Sequence, residues 1–250
     1  MWNATETLKK AHLLVFNSCY PYRRHLERNP RYCSRLTPPG RLLLDFGFGS
    51  SMYHRYFEFS QFVSLDLDAY HRPSVQGDIH FLPLRDGVAQ TVLLTEVLEH
   101  LNEPEQALSE IWRAMTPGGY LSLSVPFVFG MHGEDYRRWT KTGLERLFEK
   151  HGFEMVWIKE SGGPFAAIAS ILVSLLLELF TPSSAREGEL SNWPKYLTHF
   201  AGLVILAPFT FLLLAIDSIY PRKNFTSGYI ELLRKSVESR GHPPQFYGAT

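Results

Sequence analysis

The stretch that most constrains the fold of this chain is Leu42-Leu43-Leu44-Asp45-Phe46-Gly47-Phe48-Gly49-Ser50-Ser51. Three leucines behind Pro38, Pro39 and Gly40 read as a short strand buried on both faces, the pattern of a parallel sheet. The acid and two glycines that follow read as the turn leaving that strand. Glycine lets the backbone turn sharply and lets a ligand lie against bare main chain. A helix over about 51–58 would aim its free N–H groups and positive dipole end back into the turn. Strand, acidic glycine turn and helix together make a nucleoside-binding corner at the carboxyl end of a sheet.

A second acid sharpens this reading. Phe62-Val63-Ser64-Leu65-Asp66-Leu67-Asp68 is another short apolar strand ending in carboxylates, with Asp66 17 residues after Gly49. In a βαβ unit that spacing puts Asp66 at the tip of the neighbouring strand, where a carboxylate can accept both hydroxyls of a ribose. Asp68 takes its place if the strand runs one pleat longer.

The order of these features resembles the class I S-adenosylmethionine-dependent methyltransferases. Asp45, Gly47 and Gly49 match that family's first motif, and Asp66 its ribose-binding acid. Gly77-Asp78-Ile79-His80-Phe81-Leu82-Pro83-Leu84 is similar to the adenine loop, with Asp78 facing the exocyclic amine. Thr95-Glu96-Val97-Leu98-Glu99-His100-Leu101 is similar to the end of the fourth strand, and Pro117-Gly118-Gly119 through Pro126 to the turn and fifth strand. The resemblance covers roughly residues 40–163, and 225–235 less firmly. It implies S-adenosylmethionine as cofactor, held by Asp45, Gly47, Phe48, Gly49, Asp66, Leu67, Asp78, Ile79 and Thr95. It implies an α/β fold, a Rossmann-like doubly wound sheet of seven strands with strand 7 antiparallel. Ser51 stands where the motif's third glycine is usual, and Gln90 where an aspartate often begins the fourth strand. A nicotinamide dehydrogenase would want Gly-x-Gly-x-x-Gly, but Met52 is the residue three after Gly49.

Bulk composition narrows the partners. At 250 residues, one catalytic domain with additions is expected. The 25 basic residues balance the 25 acidic ones, so no basic excess argues for a nucleic-acid substrate. Cys19 and Cys33 are the only cysteines, which implies no disulfide framework and fits a reducing compartment. No Cys/His spacing or carboxylate run asks for a metal. The opening residues lack the basic start and apolar run of a signal peptide.

Residues 1–38 read as an N-terminal helical cap, with Leu8, Ala11, His12, Val15 and Phe16 at helical spacing and then an arginine- and tyrosine-rich stretch. Tyr20, Tyr22, Arg23 and Arg24 are its candidate contacts, and a helix simply packed on the sheet edge is the equal alternative. Pro104 suits the first turn of a helix over 103–115 carrying Ala107, Leu108, Ile111 and Met115 inward. The loop Met131-His132-Gly133-Glu134-Asp135-Tyr136-Arg137-Arg138-Trp139-Thr140 leaves the fifth strand, and Thr140 caps a helix over 141–151. It resembles the family's acceptor-side loop, which makes Asp135, Tyr136, Arg138 and Trp139 candidate substrate contacts. The competing reading is a surface ion pair, Asp135 with Arg138, and a Trp139 plug.

Methyl transfer needs alignment and exclusion of water, and a general base only where the acceptor must lose a proton. His132 is the first candidate base, because imidazole titrates near neutrality; Glu96 and His100 follow.

One interruption breaks the family pattern. The seventh strand, Ser227 to Arg234, lies some 65 residues after the sixth, 153–160. Two apolar runs fill the gap, 165–180 and a charge-free 200–216. Each is slightly short of the ~20 residues of a straight crossing. Trp193, Lys195 and Tyr196 flank one end, and Tyr220, Arg222 and Lys223 the other, as at a membrane interface. Because strand 7 must rejoin the sheet, the runs are expected to form a helical hairpin that spans or dips into a membrane. A soluble lid or homodimer interface is the alternative. The expected organisation is a cap (1–38), a methyltransferase domain (39–163 with 224–236), an apolar helical insert (164–223) and a tail (237–250). The expected activity is methyl transfer to a small-molecule or lipid-linked acceptor at the cytoplasmic face of a membrane. A non-catalytic cofactor-binding scaffold is the reading from another class.

Overall fold

The computed structural model describes residues 28–47, 53–57, 61–128, 134–180, 193–220 and 225–237. Seven strands form one sheet: β1 (Leu42–Phe46), β2 (Gln61–Asp66), β3 (Val75–Gln76), β4 (Ala89–Thr95), β5 (Met115–Pro126), β6 (Phe153–Ser161) and β7 (Gly228–Lys235). Their order is β3-β2-β1-β4-β5-β7-β6, with β7 antiparallel. The helices are α1 (Arg28–Leu36), α2 (Pro104–Ala114), α3 (Lys141–Lys150), α4 (Pro164–Phe180) and α5 (Trp193–Ile219).

The central strands are apolar on both faces, and each face has its own core. Leu44, Phe46, Val92, Leu94 and Leu123 pack with Ala107, Leu108 and Ile111 of α2 and with Leu144 and Phe148 of α3. Leu43, Leu93 and Leu232 point the other way and pack with Cys33 of α1 and Phe57. This is the two-sided burial that a parallel sheet demands. Burial pushes the Cys33 thiol up to about 12, so it behaves as a small apolar core group.

Local caps fix the helices. Pro104 sits in the first turn of α2, and the Thr140 hydroxyl accepts the Gly143 N–H at the start of α3 (3.2 Å). The C-terminal end of α2 is closed by a residue from another element. Lys235 of β7 donates to the carbonyls of Trp112 and Met115, both at 2.7 Å, and lies 3.8 Å from the Trp112 ring centroid.

Several boundaries differ from the sequence expectation. The helix expected over about 51–58 is a 3-10 turn, Tyr53–Tyr56, among the described residues. Its tyrosines and Phe57 sit on the smaller core rather than on a longer helix face. Strand β5 starts at Met115, before Pro117-Gly118, because Met115 pairs with Ala89 and a register shift absorbs the extra residues before Thr91 meets Tyr120. Within the arginine-rich leader, 28–36 is helical, and Asn29 ties it to the sheet by donating to the carbonyls of Glu231 (2.6 Å) and Leu123 (3.4 Å). Tyr20, Tyr22, Arg23 and Arg24 lie outside the described residues.

Among the described residues the chain divides into two compact units, the second running from Glu160 to Gly228. Helices α4 and α5 of that second unit pack on one another. The Asp217 carboxylate of α5 accepts N–H groups of Gly163 (2.9 Å), Phe165 and Ala166 (both 3.2 Å), so one helix caps the start of the other. No described helix is long and apolar enough to cross a membrane.

Candidate active site

Parallel pairing of β2, β1, β4 and β5 brings their carboxyl ends to one edge. Phe46 faces Leu65, and the Gly47 N–H extends that ladder by donating to the Leu65 carbonyl at 3.1 Å. Gly47 and Asp66 are therefore neighbours at the tips of adjacent strands. Strand order reverses between β1 and β4, which leaves a crevice at this edge.

Gly47 has φ +65°, and a Cβ there would fall 2.3 Å from Val97 Cγ2. The turn is thus bare main chain by necessity, a shape that accepts a ligand against the backbone. Asp45 is buried just before it. Asp66 Oδ1 accepts the Asp68 N–H (2.9 Å), and Asp68 accepts the Tyr70 N–H (2.8 Å) to start a 3-10 turn. Leu67 is exposed between them. Phe48 and Gly49 lie outside the described residues.

The next segment is held from behind. Asp78 Oδ1 takes the His80 N–H (2.9 Å) and pairs with His80 Nδ1 (2.6 Å). Burial raises the Asp78 pKa, but the His80 N–H, ring and charge outweigh it and leave the carboxyl below its usual range. Ile79 is buried. Gln106, Glu110 and Arg113 share one face of α2. Gln106 donates to the His80 carbonyl, Glu110 accepts the Leu82 N–H, and Arg113 donates to the Leu82 and Leu84 carbonyls and to Asp86. The sequence reading missed this staple, although its i, i+4, i+7 spacing was visible.

At the tip of β4, Thr95 pairs with Ser124, and Glu96 follows at φ +55°, a left-handed conformation rare outside glycine. Its N–H donates to the Ser124 carbonyl (3.1 Å) and its Oε1 accepts the Ser124 hydroxyl (2.9 Å). Glu99 is fully buried, and neither of its carboxyl oxygens has a hydrogen-bond partner among the described residues. Burial first, and the Glu96 charge second, push it up to about 9, so it is neutral at pH 7. Sequence gave no hint of that burial.

The acceptor-side loop is sewn to this segment. The Tyr136 N–H donates to the Glu99 carbonyl (2.9 Å), and His100 Nδ1 donates to the Glu134 carbonyl (2.6 Å). His100 Nε2 lies 3.8 Å from Glu99 Oε1. Arg138 grips Asp135 with both terminal nitrogens, and Asp135 is almost wholly buried. Trp139 packs against the larger core, whereas Tyr136 is exposed and donates its hydroxyl to Glu134. His132 lies outside the described residues.

Residues 44–123, from β1 into β5, match the family model of the methyltransferase domain. This stretch of the chain carries a methyltransferase domain on a Rossmann-like sheet. In the matched segment the bare Gly47 turn lies beside the Asp66 strand tip. Among solved structures, the domain is similar to the cyclase SpnF (18% identity, TM-score 0.57, covering 85% of this chain and 81% of that one). It is similar to an S-adenosylmethionine-dependent methyltransferase from Archaeoglobus fulgidus (14%, 0.54, covering 89% and 99%). It also resembles phosphoethanolamine N-methyltransferase 2 of Haemonchus contortus, solved with S-adenosylmethionine (16%, 0.50, covering 84% and 52%). These likenesses are of fold. An uncharacterized 37.1 kDa protein in transposon TN4556 of Streptomyces fradiae is 46% identical over 50 residues, 20% of this chain and 14% of that protein.

Proposed function

We propose that the enzyme methylates a small or lipid-linked acceptor at the cytoplasmic face of a membrane. The observation that carries the methyl-transfer reading is the adjacency of Gly47 and Asp66 at neighbouring strand tips. In this reading Asp66 accepts the ribose hydroxyls, while Asp78 and Ile79 bound the adenine. Asp45, Phe48, Gly49, Leu67 and Thr95 complete the wall. When bound, S-adenosylmethionine supplies a methyl group on a sulfonium, whose displacement leaves a neutral thioether.

The protein's own task is to aim the acceptor atom along the carbon–sulfur axis and keep water out. Its acceptor side is the segment from Glu134 to Trp139. Tyr136, the exposed aromatic of the segment, is the contact with substrate; Asp135 and Arg138, bound to each other, hold the loop that presents it. A hydroxyl acceptor gives its proton to a base as the new bond forms. Glu96, fixed by Ser124 at the tip of β4, is preferred to His100, whose Nδ1 is committed to the Glu134 carbonyl. His132 stays the candidate of the same loop.

A lipid-linked acceptor is supported by the two apolar runs of the insert, the second of them charge-free, and a small acceptor by the neutral net charge. The rival is a soluble enzyme whose insert serves as lid or homodimer interface. Incubating the protein with membrane lipids and methyl-labelled S-adenosylmethionine tests the choice. Label in the organic phase, abolished by Asp66→Ala, supports the proposal. Label confined to water-soluble acceptors contradicts it.

A further inference from the structure

The polarity of the α4–α5 hairpin is inverted. On α5, Thr210 and Asp217 are buried together with Leu213. The exposed side carries Val204, Ile205, Phe209, Phe211, Leu212 and Ile219, with Ile205 at 77% and Ile219 at 83% exposure. Helix α4 repeats the pattern. Ala166, Ala167, Ala169 and Ser170 are buried, while Ile168, Ile171 and Leu175 face outward. Small and polar residues inside, and large apolar residues outside, is the reverse of a water-facing helix. It is the arrangement of helices that pack in lipid, where close approach comes from small residues and inner polar groups must be satisfied within the bundle. Those inner groups are satisfied here. Ser170 donates to the Ala166 carbonyl (3.0 Å), Thr210 to the Ala207 carbonyl (2.9 Å), and Asp217 takes the N–H groups of Phe165 and Ala166 in α4 and of Gly163 just before it.

We infer that the α4–α5 hairpin docks on a lipid surface through its outer apolar side and lies in the interfacial layer without crossing the bilayer. A second copy of this chain or another protein would need one stripe covered, whereas the apolar exposure runs along both helices. No charged residue interrupts it from Pro164 to Leu177 or from Phe200 to Ile216, so no polar rim of a protein interface is drawn there. A two-helix crossing is disfavoured by the length of α4. The 17 residues of α4 rise about 25 Å, short of the ~30 Å hydrocarbon layer. Asp217 ties the start of α4 to the end of α5, so the hairpin is a preformed unit whose two ends emerge on the same side. Tyr220, stacked edge-on against Phe165 at 5.4 Å, marks that end with an interfacial aromatic residue. The inference rests on the membrane-face part of the proposed function and is independent of the methyl-transfer part.

The test is co-sedimentation of the full-length protein with phosphatidylcholine–phosphatidylglycerol vesicles, with S-adenosylmethionine affinity measured by calorimetry on the same samples. Wild type is expected to pellet with vesicles. The Ile205→Glu/Leu212→Glu variant is expected to lose at least about tenfold in bound fraction with cofactor affinity unchanged. Wild type left in the supernatant, or a detergent-free dimer that the same pair of substitutions dissociates, overturns the inference. Should the Glu pair fail to fold, Leu212→Trp keeps the surface apolar. Its emission is expected to shift to shorter wavelength on vesicles and to be quenched most by bromines placed near the headgroup. Unshifted emission, or strongest quenching by bromines at the chain ends, contradicts interfacial docking. Loss of cofactor binding in wild type would instead count against the methyltransferase site alone.

Discussion

The sheet edge and the helical hairpin solve the same problem in opposite directions. At the edge, apolar residues fill both faces of the strands, and carboxylates and bare main chain collect at the tips, where Gly47, Asp66 and Glu96 sit. In the hairpin, the carboxylate of Asp217 and the hydroxyls of Ser170 and Thr210 are inside, and isoleucine, leucine and phenylalanine are outside. Each arrangement matches a different surrounding. The first belongs to a domain in water that admits a polar ligand at one rim. The second is the arrangement from which we infer a segment docked on lipid.

The contrast can be broken from either side. The largest effect is expected at Asp217. Asp217→Ala leaves buried N–H groups of Gly163, Phe165 and Ala166 without their acceptor, and a loss of about 2–4 kcal/mol is expected in denaturant titration. Asp217→Asn should lose less, since its side-chain carbonyl still accepts. Gly47→Ala comes next. It puts a side chain at positive φ and against Val97, for about 1–3 kcal/mol of strain, with cofactor affinity lowered at least about tenfold. Adding Val97→Ala should recover part of both losses. If it recovers neither, the close approach is not what makes Gly47 necessary.

How much of this was legible beforehand differs between the two regions. The strand tips were legible because period and turn chemistry are local: three leucines, an acid and a glycine carry their own instructions. The seven-stranded sheet with its antiparallel last strand followed from the family resemblance. The hairpin was legible only as two apolar runs, since hydropathy reports that a residue is apolar and says nothing of which side it takes. Asp217 stands just past the second run, and its cap becomes visible only when α4 folds back on α5. The same holds for Asn29 and Lys235, whose partners lie 202 and 123 residues away in sequence. Of the helix expected over about 51–58, the described residues hold a 3-10 turn, Tyr53–Tyr56, whose tyrosines pack with Phe57 on the smaller core.

Smaller effects sharpen the picture of the edge. Arg113→Ala removes the staple on the 82–86 segment, and about 1–2 kcal/mol of stability with a few-fold weaker cofactor binding is expected. Unchanged binding would mean that the loop keeps its shape without α2. The smallest step is that of a single pH unit. Burial raises Glu231 to about 8 and Glu99 to about 9. Below their ordinary value of 4.5 both folded and unfolded chains hold these protons. Above it the unfolded chain releases them and the folded one does not, so stability falls as pH rises until about 8–9 and then levels. Each group contributes at most about 1.4 kcal/mol per pH unit in that window. Glu231→Gln should flatten its share of the slope in melting curves taken across it, and an unaltered slope would show that Glu231 ionises freely in the fold.

The central claim is that the tips of β1 and β2 together hold the adenosine of S-adenosylmethionine. Calorimetric titration of the cofactor into wild type and Asp66→Ala, with melting curves beside it, tests that claim most directly. The account predicts a loss of about tenfold to hundredfold in affinity with the fold unchanged. Equal affinity in the two proteins would contradict it.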